Sequence, residues 1–167
     1  KVKGSCSMLI LTEDGVIAAR DYYGRTPIVI GKNGEGYVLA SESHSYINLD
    51  YETCYSVGPG EIVKVTLDGV QQMLAPNPKK QICSFLWIYY GYPVAEYEGI
   101  NVEEARYNEG REMGKHDYVD IDYVSAIPDS GIGMALGYSN VRKVPYMRGV
   151  VKYTPTWSRS FMPVNQS

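Results

Sequence analysis

The sequence predicts two architectures in succession, antiparallel sheet first and a parallel α/β arrangement after it. Three observations carry this. Residues 5–74 are strand-rich: short apolar runs alternate with Gly-containing turns, and no 3.6-residue stripe of any length appears. Residues 74–81 contain Pro76 and Pro78 among polar neighbours, which suits neither sheet nor helix. Residues 121–137 then read as a short apolar strand, a Pro-Asp-Ser-Gly turn and an amphipathic helix.

Each element follows from local chemistry. Residues 7–11 and 16–19 flank Glu13-Asp14-Gly15 and predict a hairpin. A second hairpin joins 28–30 to 37–39 across Lys32-Asn33-Gly34-Glu35-Gly36, and a third joins 61–66 to 70–73 across Leu67-Asp68-Gly69. Residues 41–49 open on a serine capping signal and predict a short helix. The expected division is a first domain over 1–74, a linker over 75–81 and a second domain over 82–167. Within the second, residues 82–90 are an aromatic-rich run expected to be extended. Asn101 and Glu104 form a capping box, and Glu103, Arg111, Lys115 and His116 complement the dipole of the helix that follows. Its stripe of Val102, Ala105 and Met113 is thin, and Gly110 and Gly114 each weaken it by about 1 kcal/mol relative to Ala. A strand over 123–126 leads to a helix over about 131–140, with Ile132, Ala135, Leu136 and Ser139 on one face.

Composition removes some functions. A formal charge of −3 gives no footprint for nucleic acid or an anionic membrane, and no apolar run reaches the roughly 18 residues of a membrane span. No signal peptide is visible; the chain starts at Lys1 and ends on a polar stretch, so both ends read as cut. Cys6, Cys54 and Cys83 are odd in number and lack zinc-site spacing, which predicts buried free thiols.

Three stretches have residues that chemistry can use. Pro128, Asp129, Ser130 and Gly131 sit where a strand turns into a helix. Free amides there, reinforced by the helix dipole, suit a phosphate; Asp129 or Ser130 acting only as a helix cap is the plainer reading. Residues 152–163 hold Lys152, Arg159, Trp157 and Phe161. This is the composition of a lid over a phosphorylated ligand, or of a loose tail. Arg20-Asp21 beside Gly24 reads as a structural ion pair holding a turn. Ser41-Glu42-Ser43-His44 lacks the glycine elbow of a serine hydrolase, and Gly58-Pro59-Gly60 is a turn feeding a strand.

Taken in order, these pieces resemble a known family. Arg20-Asp21-x-x-Gly24-Arg25-x-Pro27, Ala40-Ser41-Glu42-Ser43 and Pro59-Gly60-Glu61 look like the last third of a class II glutamine amidotransferase domain. Ile82-Cys83-Ser84-Phe85 with Tyr89, Gly99-Ile100-Asn101-Val102 with Ala105-Arg106, Ile127-Pro128-Asp129-Ser130, Gly137-Tyr138 and Pro145-Tyr146 look like the start of a type I phosphoribosyltransferase domain. The two in this order resemble the amidophosphoribosyltransferase family.

The resemblance implies the end of an N-terminal-nucleophile glutaminase followed by the start of a phosphoribosyltransferase. It implies the committed step of purine biosynthesis: glutamine and phosphoribosyl pyrophosphate become phosphoribosylamine, glutamate and pyrophosphate. It also implies a cytoplasmic enzyme, homo-oligomeric at full length, with no nucleic-acid or membrane partner. The nucleophilic Cys and the 5′-phosphate loop would lie outside residues 1–167, so these residues alone are expected to be inactive. Pro128, Asp129, Ser130 and Gly131 match the pyrophosphate loop, with only the Gly131 backbone left near magnesium. Lys152, Arg159 and Phe161 match the flexible loop, and Phe85 and Tyr89 match aromatic positions along the ammonia channel. Cys83 matches one ligand of an iron–sulfur cluster that some members carry, leaving the cluster undecided. Leu86 and Tyr92 depart from the family's usual acidic residue and Arg. Two other readings remain: another class II amidotransferase, or a non-catalytic regulator that senses phosphoribosyl pyrophosphate.

Overall fold

The computed structural model describes residues 4–155. These form two compact units, one running to Ala105 and the other starting at Arg106.

The first unit contains β1 (Ser7–Thr12), β2 (Gly15–Arg20), β3 (Val29–Lys32), β4 (Tyr37–Ala40), α1 (His44–Ile47), β5 (Glu52–Ser56), β6 (Ile62–Thr66) and β7 (Gly69–Leu74). The three expected hairpins are present as β1–β2, β3–β4 and β6–β7, all antiparallel. They assemble into a four-stranded sheet of order β1-β2-β6-β7 and a three-stranded sheet of order β4-β3-β5. Alternation explains the core: Ala18, Ile28, Ile30, Val57, Val63 and Val65 are buried, with Tyr37, Leu39, Tyr55 and Val70 packed against them. β2 and β6 approach closely at Gly15, where an added Cβ would lie 2.2 Å from the Val65 carbonyl oxygen. β5 pairs with β3 through a register shift at Ile30 and Gly31. The ring of buried Tyr46 lies over Gly31, and its hydroxyl meets Thr53 Oγ1 at 2.6 Å.

Beyond β7, residues 75–81 contain no helix or strand. They are nevertheless pinned to the strand-rich part: Asn77 N–H donates to Pro59 O, Asn77 Nδ2 to Tyr22 O, and Gln81 N–H to Tyr23 O. Residues 82–90 are not extended as their composition predicts. Leu86, Trp87 and Ile88 return their N–H groups to Cys83 and Ser84, and Gly91 N–H reaches Leu86 O at 2.7 Å, closing a π-helical turn over Leu86–Tyr90. Aromatic strand propensity loses here to packing. Trp87 stacks edge-on against Tyr97 and donates its indole N–H to Ile100 O. Tyr97 and Ile100 belong to a small hairpin, β8 (Glu96–Tyr97) with β9 (Ile100–Asn101), turned by Glu98 and Gly99 at φ 53° and 81°. Ala95, Tyr97 and Val102 are the buried centre of this second cluster.

α2 (Val102–His116) starts as expected, with Glu104 N–H donating to Asn101 Oδ1. In the second unit α3 (Ile132–Arg142) follows the turn, and the expected strand over 123–126 is reduced to one parallel bridge between Val124 and Tyr146. The apolar stripe expected on α3 is also corrected. Leu136 is 37% exposed, whereas Gly133, Ala135, Gly137 and Ser139 are buried. The reason is a contact between backbones. A Cβ on Gly137 would lie 1.9 Å from Tyr107 O, and one on Gly110 would lie 1.8 Å from Met134 O. The glycines that weaken α2 as a helix are what let α3 approach it.

Two smaller expectations also change. Ser43 precedes α1 but makes no capping hydrogen bond, because its own backbone is already helical. The three cysteines are free, but none is buried: Cys54 is exposed, and Cys6 and Cys83 are intermediate.

Candidate functional site

The turn before α3 is the best-defined candidate. Gly131 N–H donates to Ile127 O at 3.2 Å, Ile132 N–H to Asp129 O at 3.2 Å and Ala135 N–H to Gly131 O at 3.0 Å. The bend is tight enough that a Cβ on Gly131 would lie 2.8 Å from Ile127 O, which accounts for glycine there. Neither Asp129 nor Ser130 caps the helix. The cap position is Gly131, with helical dihedrals and no side-chain bond, so the first turn starts inside the loop. The Pro128–Asp129 peptide is cis.

The amides of Asp129 and Ser130 have no hydrogen-bond partner among the described residues. Two free donors therefore stand at the positive end of an 11-residue helix. Lys152 Nζ lies 2.9 Å from Asp129 Oδ2, with both side chains more than half exposed. The strand bridge explains why residue 152 arrives here: Met147 N–H donates to Val124 O, and Gly149 N–H donates to Ser125 Oγ at 3.1 Å. Two stretches singled out separately in the sequence thus meet. Arg159 and Phe161 lie outside the described residues.

The far end of α3 is anchored by groups that sequence reasoning missed. Tyr138 donates its hydroxyl to Asp117 Oδ2, and the Arg142 guanidinium donates to the carbonyls of Asp117 and Val119. The Tyr138 hydrogen bond, then the Val119 N–H, hold the Asp117 carboxyl below its ordinary value. The same bond, followed by burial, pushes the Tyr138 hydroxyl up. Of these residues only Tyr138 had drawn notice, and local sequence does not connect it to position 117.

In the first unit Phe85 caps the π-helical turn that holds Tyr89, their ring centroids 6.5 Å apart and edge to face. Both are about half exposed. Arg20 and Asp21 are buried but do not pair with each other. Asp21 accepts the N–H groups of Tyr23 and Arg25. Arg20 donates to Thr26 O, Val57 O and Gly24 O and forms an ion pair with Glu98 Oε1 at 2.8 Å. Glu61, also buried, accepts from Tyr55 Oη, Gly58 N–H and Gln72 Nε2. That network holds the turn over residues 57–61.

Among the described residues no three His, Cys, Asp or Glu side chains gather as metal ligands. Around Cys83, then, no ligand set for an iron–sulfur cluster is described; its backbone N–H donates to Arg25 O. Near Gly131 the donors are one carboxylate, one hydroxyl and backbone. They fit magnesium carried on phosphate oxygens rather than an ion held by protein alone. No helix among the described residues is long and apolar enough to cross a membrane.

No family model matches the chain. Amidophosphoribosyltransferase of Bacillus subtilis strain 168 is 35% identical over 152 residues, covering 90% of this chain and 32% of the relative. That of Archaeoglobus fulgidus is 35% identical over 163 residues, covering 96% and 35%. The chloroplastic amidophosphoribosyltransferase 2 of Arabidopsis thaliana is 36% identical over 155 residues, covering 91% and 28%. Among solved structures, glutamine phosphoribosylpyrophosphate amidotransferase from B. subtilis, complexed with ADP and GMP, superposes with a TM-score of 0.87 at 32% identity. It covers 98% of this chain and 36% of that one. A structure described as the allosteric regulatory enzyme of purine biosynthesis gives a TM-score of 0.88 at 34% identity. The chain spans about a third of the length of the curated relatives it matches. Agreement in sequence and in fold over nearly all its residues identifies the chain as a relative of the amidophosphoribosyltransferase family.

Proposed function

We propose that this chain is the central part of an amidophosphoribosyltransferase, with the end of the glutaminase domain over residues 1–74, a linker over 75–81 and the start of the phosphoribosyltransferase domain over 82–167. Glutamine and water give glutamate and ammonia. The ammonia nitrogen then forms a bond to the anomeric carbon of phosphoribosyl pyrophosphate as the bond to pyrophosphate breaks, leaving phosphoribosylamine once a proton is lost.

The observation that carries this reading is the meeting of the free Asp129 and Ser130 amides, the α3 N-terminus and the Lys152 cation. Amides at a helix start bind phosphate oxygens without a side chain, and their charge is fixed before the ligand arrives. Ser130 adds a hydroxyl, and the Gly131 backbone allows the pyrophosphate to come close. Lys152 neutralises Asp129, whose carboxylate would otherwise repel the ligand. Magnesium, when bound with the substrate, offsets the charge that builds on the departing pyrophosphate. Phe85 and Tyr89 supply an apolar wall for ammonia, keeping it from being protonated in water. Assembly as a homo-oligomer in the cytoplasm belongs to the same reading.

The test is an assay of the full-length gene product with glutamine, phosphoribosyl pyrophosphate and magnesium. Glutamate and pyrophosphate are expected in equal amounts, each dependent on the other substrate. Glutamate without pyrophosphate would place the chain in another class II amidotransferase. Binding of phosphoribosyl pyrophosphate with no turnover would make it a regulator.

A further inference from the structure

Glu98 occupies an unusual position. It sits in the turn between β8 and β9 with φ 53°, a left-handed conformation disfavoured for a residue with a side chain. Its carboxylate bridges two cations from the other side of the Pro-rich stretch and from within it. Oε1 accepts from Arg20 Nη2 at 2.8 Å, and Oε2 accepts from Lys80 Nζ at 3.1 Å. The Arg20 side chain is 2% exposed and that of Glu98 21%. Because three backbone carbonyls fix the Arg20 guanidinium independently, it is an immobile docking point rather than a mobile surface charge. A cavity of about 400 Å³ opens beside the pair, lined on one side by Ile28, Ser43 and Ser56 and on the other by Glu96 and Tyr97. The Arg20–Glu98 pair therefore spans the two sides of this cavity at the hairpin turn.

The hairpin in turn carries the aromatic turn. Trp87 donates to Ile100 O and packs edge-on to Tyr97, 5.9 Å between centroids. Gly91, which closes the π-helical turn, lies so close to Tyr97 and Val102 that a Cβ would meet them at 2.9 and 2.6 Å. The path from Arg20 through Glu98, the β8–β9 turn and Trp87 to Phe85 and Tyr89 is therefore continuous and tightly packed. Of the residues along it, Glu98 is the one that ties the hairpin turn itself to the strand-rich part by an ion pair, and its removal leaves the aromatic cluster closed; the His44–Tyr92 stack and the Cys83 N–H bond to Arg25 O hold the neighbouring segment.

We propose that Glu98 is a positioning residue that holds the Phe85 and Tyr89 wall against the strand-rich part, and so sets the fraction of glutamine-derived ammonia that reaches the phosphoribosyl centre. The proposal rests on the function proposed above. Loss of the clamp lets the wall shift. Ammonia then escapes to solvent, while the two partial reactions, each at its own site, continue.

The experiment compares Glu98→Gln and Glu98→Ala with Glu96→Gln in the full-length gene product. Glu96 lines the same cavity and has no ion pair among the described residues. Three rates are read: glutamate release, pyrophosphate release driven by glutamine, and pyrophosphate release driven by added ammonium salt. Glu98→Ala is expected to raise the glutamate-to-pyrophosphate ratio at least twofold above wild type, with the ammonium-driven rate and its KM for phosphoribosyl pyrophosphate unchanged. Glu96→Gln is expected to keep the wild-type ratio. An unchanged ratio in Glu98→Ala, or a parallel fall in all three rates, would overturn the proposal. Tryptic cleavage after Lys79 and Lys80 is read alongside and is expected to accelerate in Glu98→Ala. A wild-type protein with no turnover but with that acceleration in the variant would sink the functional reading and leave the clamp standing. No acceleration would remove the clamp itself.

Discussion

At the scale of single residues, the candidate site depends on one exposed ion pair whose value for stability and for binding should differ. Lys152 and Asp129 are 54% and 63% exposed, so solvent screens their attraction and its contribution to folding is about 0–1 kcal/mol. Binding is another matter, because a phosphate ligand arriving at the α3 N-terminus brings its own charge next to Asp129. Lys152→Met is therefore expected to leave the unfolding midpoint nearly unchanged while weakening magnesium-dependent pyrophosphate binding roughly tenfold. Adding Asp129→Asn should recover part of that loss, since it removes the unneutralised carboxylate. Calorimetry with inorganic pyrophosphate and magnesium on the full-length protein reads both effects. Equal affinity in Lys152→Met and wild type would show that the cation takes no part. The sequence made Lys152 and Asp129 visible separately. Their pairing was not legible, because it depends on Val124 and Tyr146 bridging residues 22 positions apart.

At the scale of elements, legibility follows the strength of local chemistry. The three hairpins could be read because each has a glycine turn between runs of alternating residues, and the register follows from those turns. β5, with the sequence Glu-Thr-Cys-Tyr-Ser, has no such alternation and is a strand only because β3 accepts it. Residues 82–90 misled for the opposite reason: their aromatic content favours strand, yet Gly91 and the hairpin behind it close a π-helical turn. α3 shows a third case, since a face made of Gly133, Ala135, Gly137 and Ser139 is invisible to a search for large apolar residues. That face makes a sharp prediction. Gly137→Ala would press a methyl group into the Tyr107 carbonyl, a backbone atom that cannot rotate away, and should cost about 3 kcal/mol despite the better helix propensity of Ala. At Gly114 the nearest atom to an added Cβ is Tyr138 O at 3.2 Å, so Gly114→Ala should stay within about 1 kcal/mol of wild type. Urea denaturation compares the two. Similar midpoints for both variants would mean that α2 and α3 are not packed backbone to backbone.

At the scale of the whole molecule, the four-stranded sheet has an edge that has a consequence for association. Among the described residues β1 is an edge strand, paired only with β2. Its Met8, Leu9, Ile10 and Leu11 are 36%, 52%, 50% and 83% exposed. Successive side chains of a strand point to opposite faces, so β1 is apolar on both faces, and among the described residues no strand pairs with its outer edge. None of the usual protections of an edge is present: it has no Pro, no Lys and no charged residue between Ser7 and Thr12. Apolar exposure of this kind is a surface for association, through strand pairing at the edge or burial of the apolar faces. Residues 1–167 alone, purified and concentrated, are therefore expected to self-associate in light scattering, with the associated fraction rising with salt because the attraction is apolar. Leu9→Lys and Ile10→Lys place a charge on each face in turn and should shift the distribution towards monomer without altering far-ultraviolet dichroism. A monomeric wild-type chain at high concentration would sink the prediction. Association unaffected by both lysines would move its source to another apolar patch, such as Met73 and Leu74 on the opposite edge strand β7, which are 56% and 53% exposed.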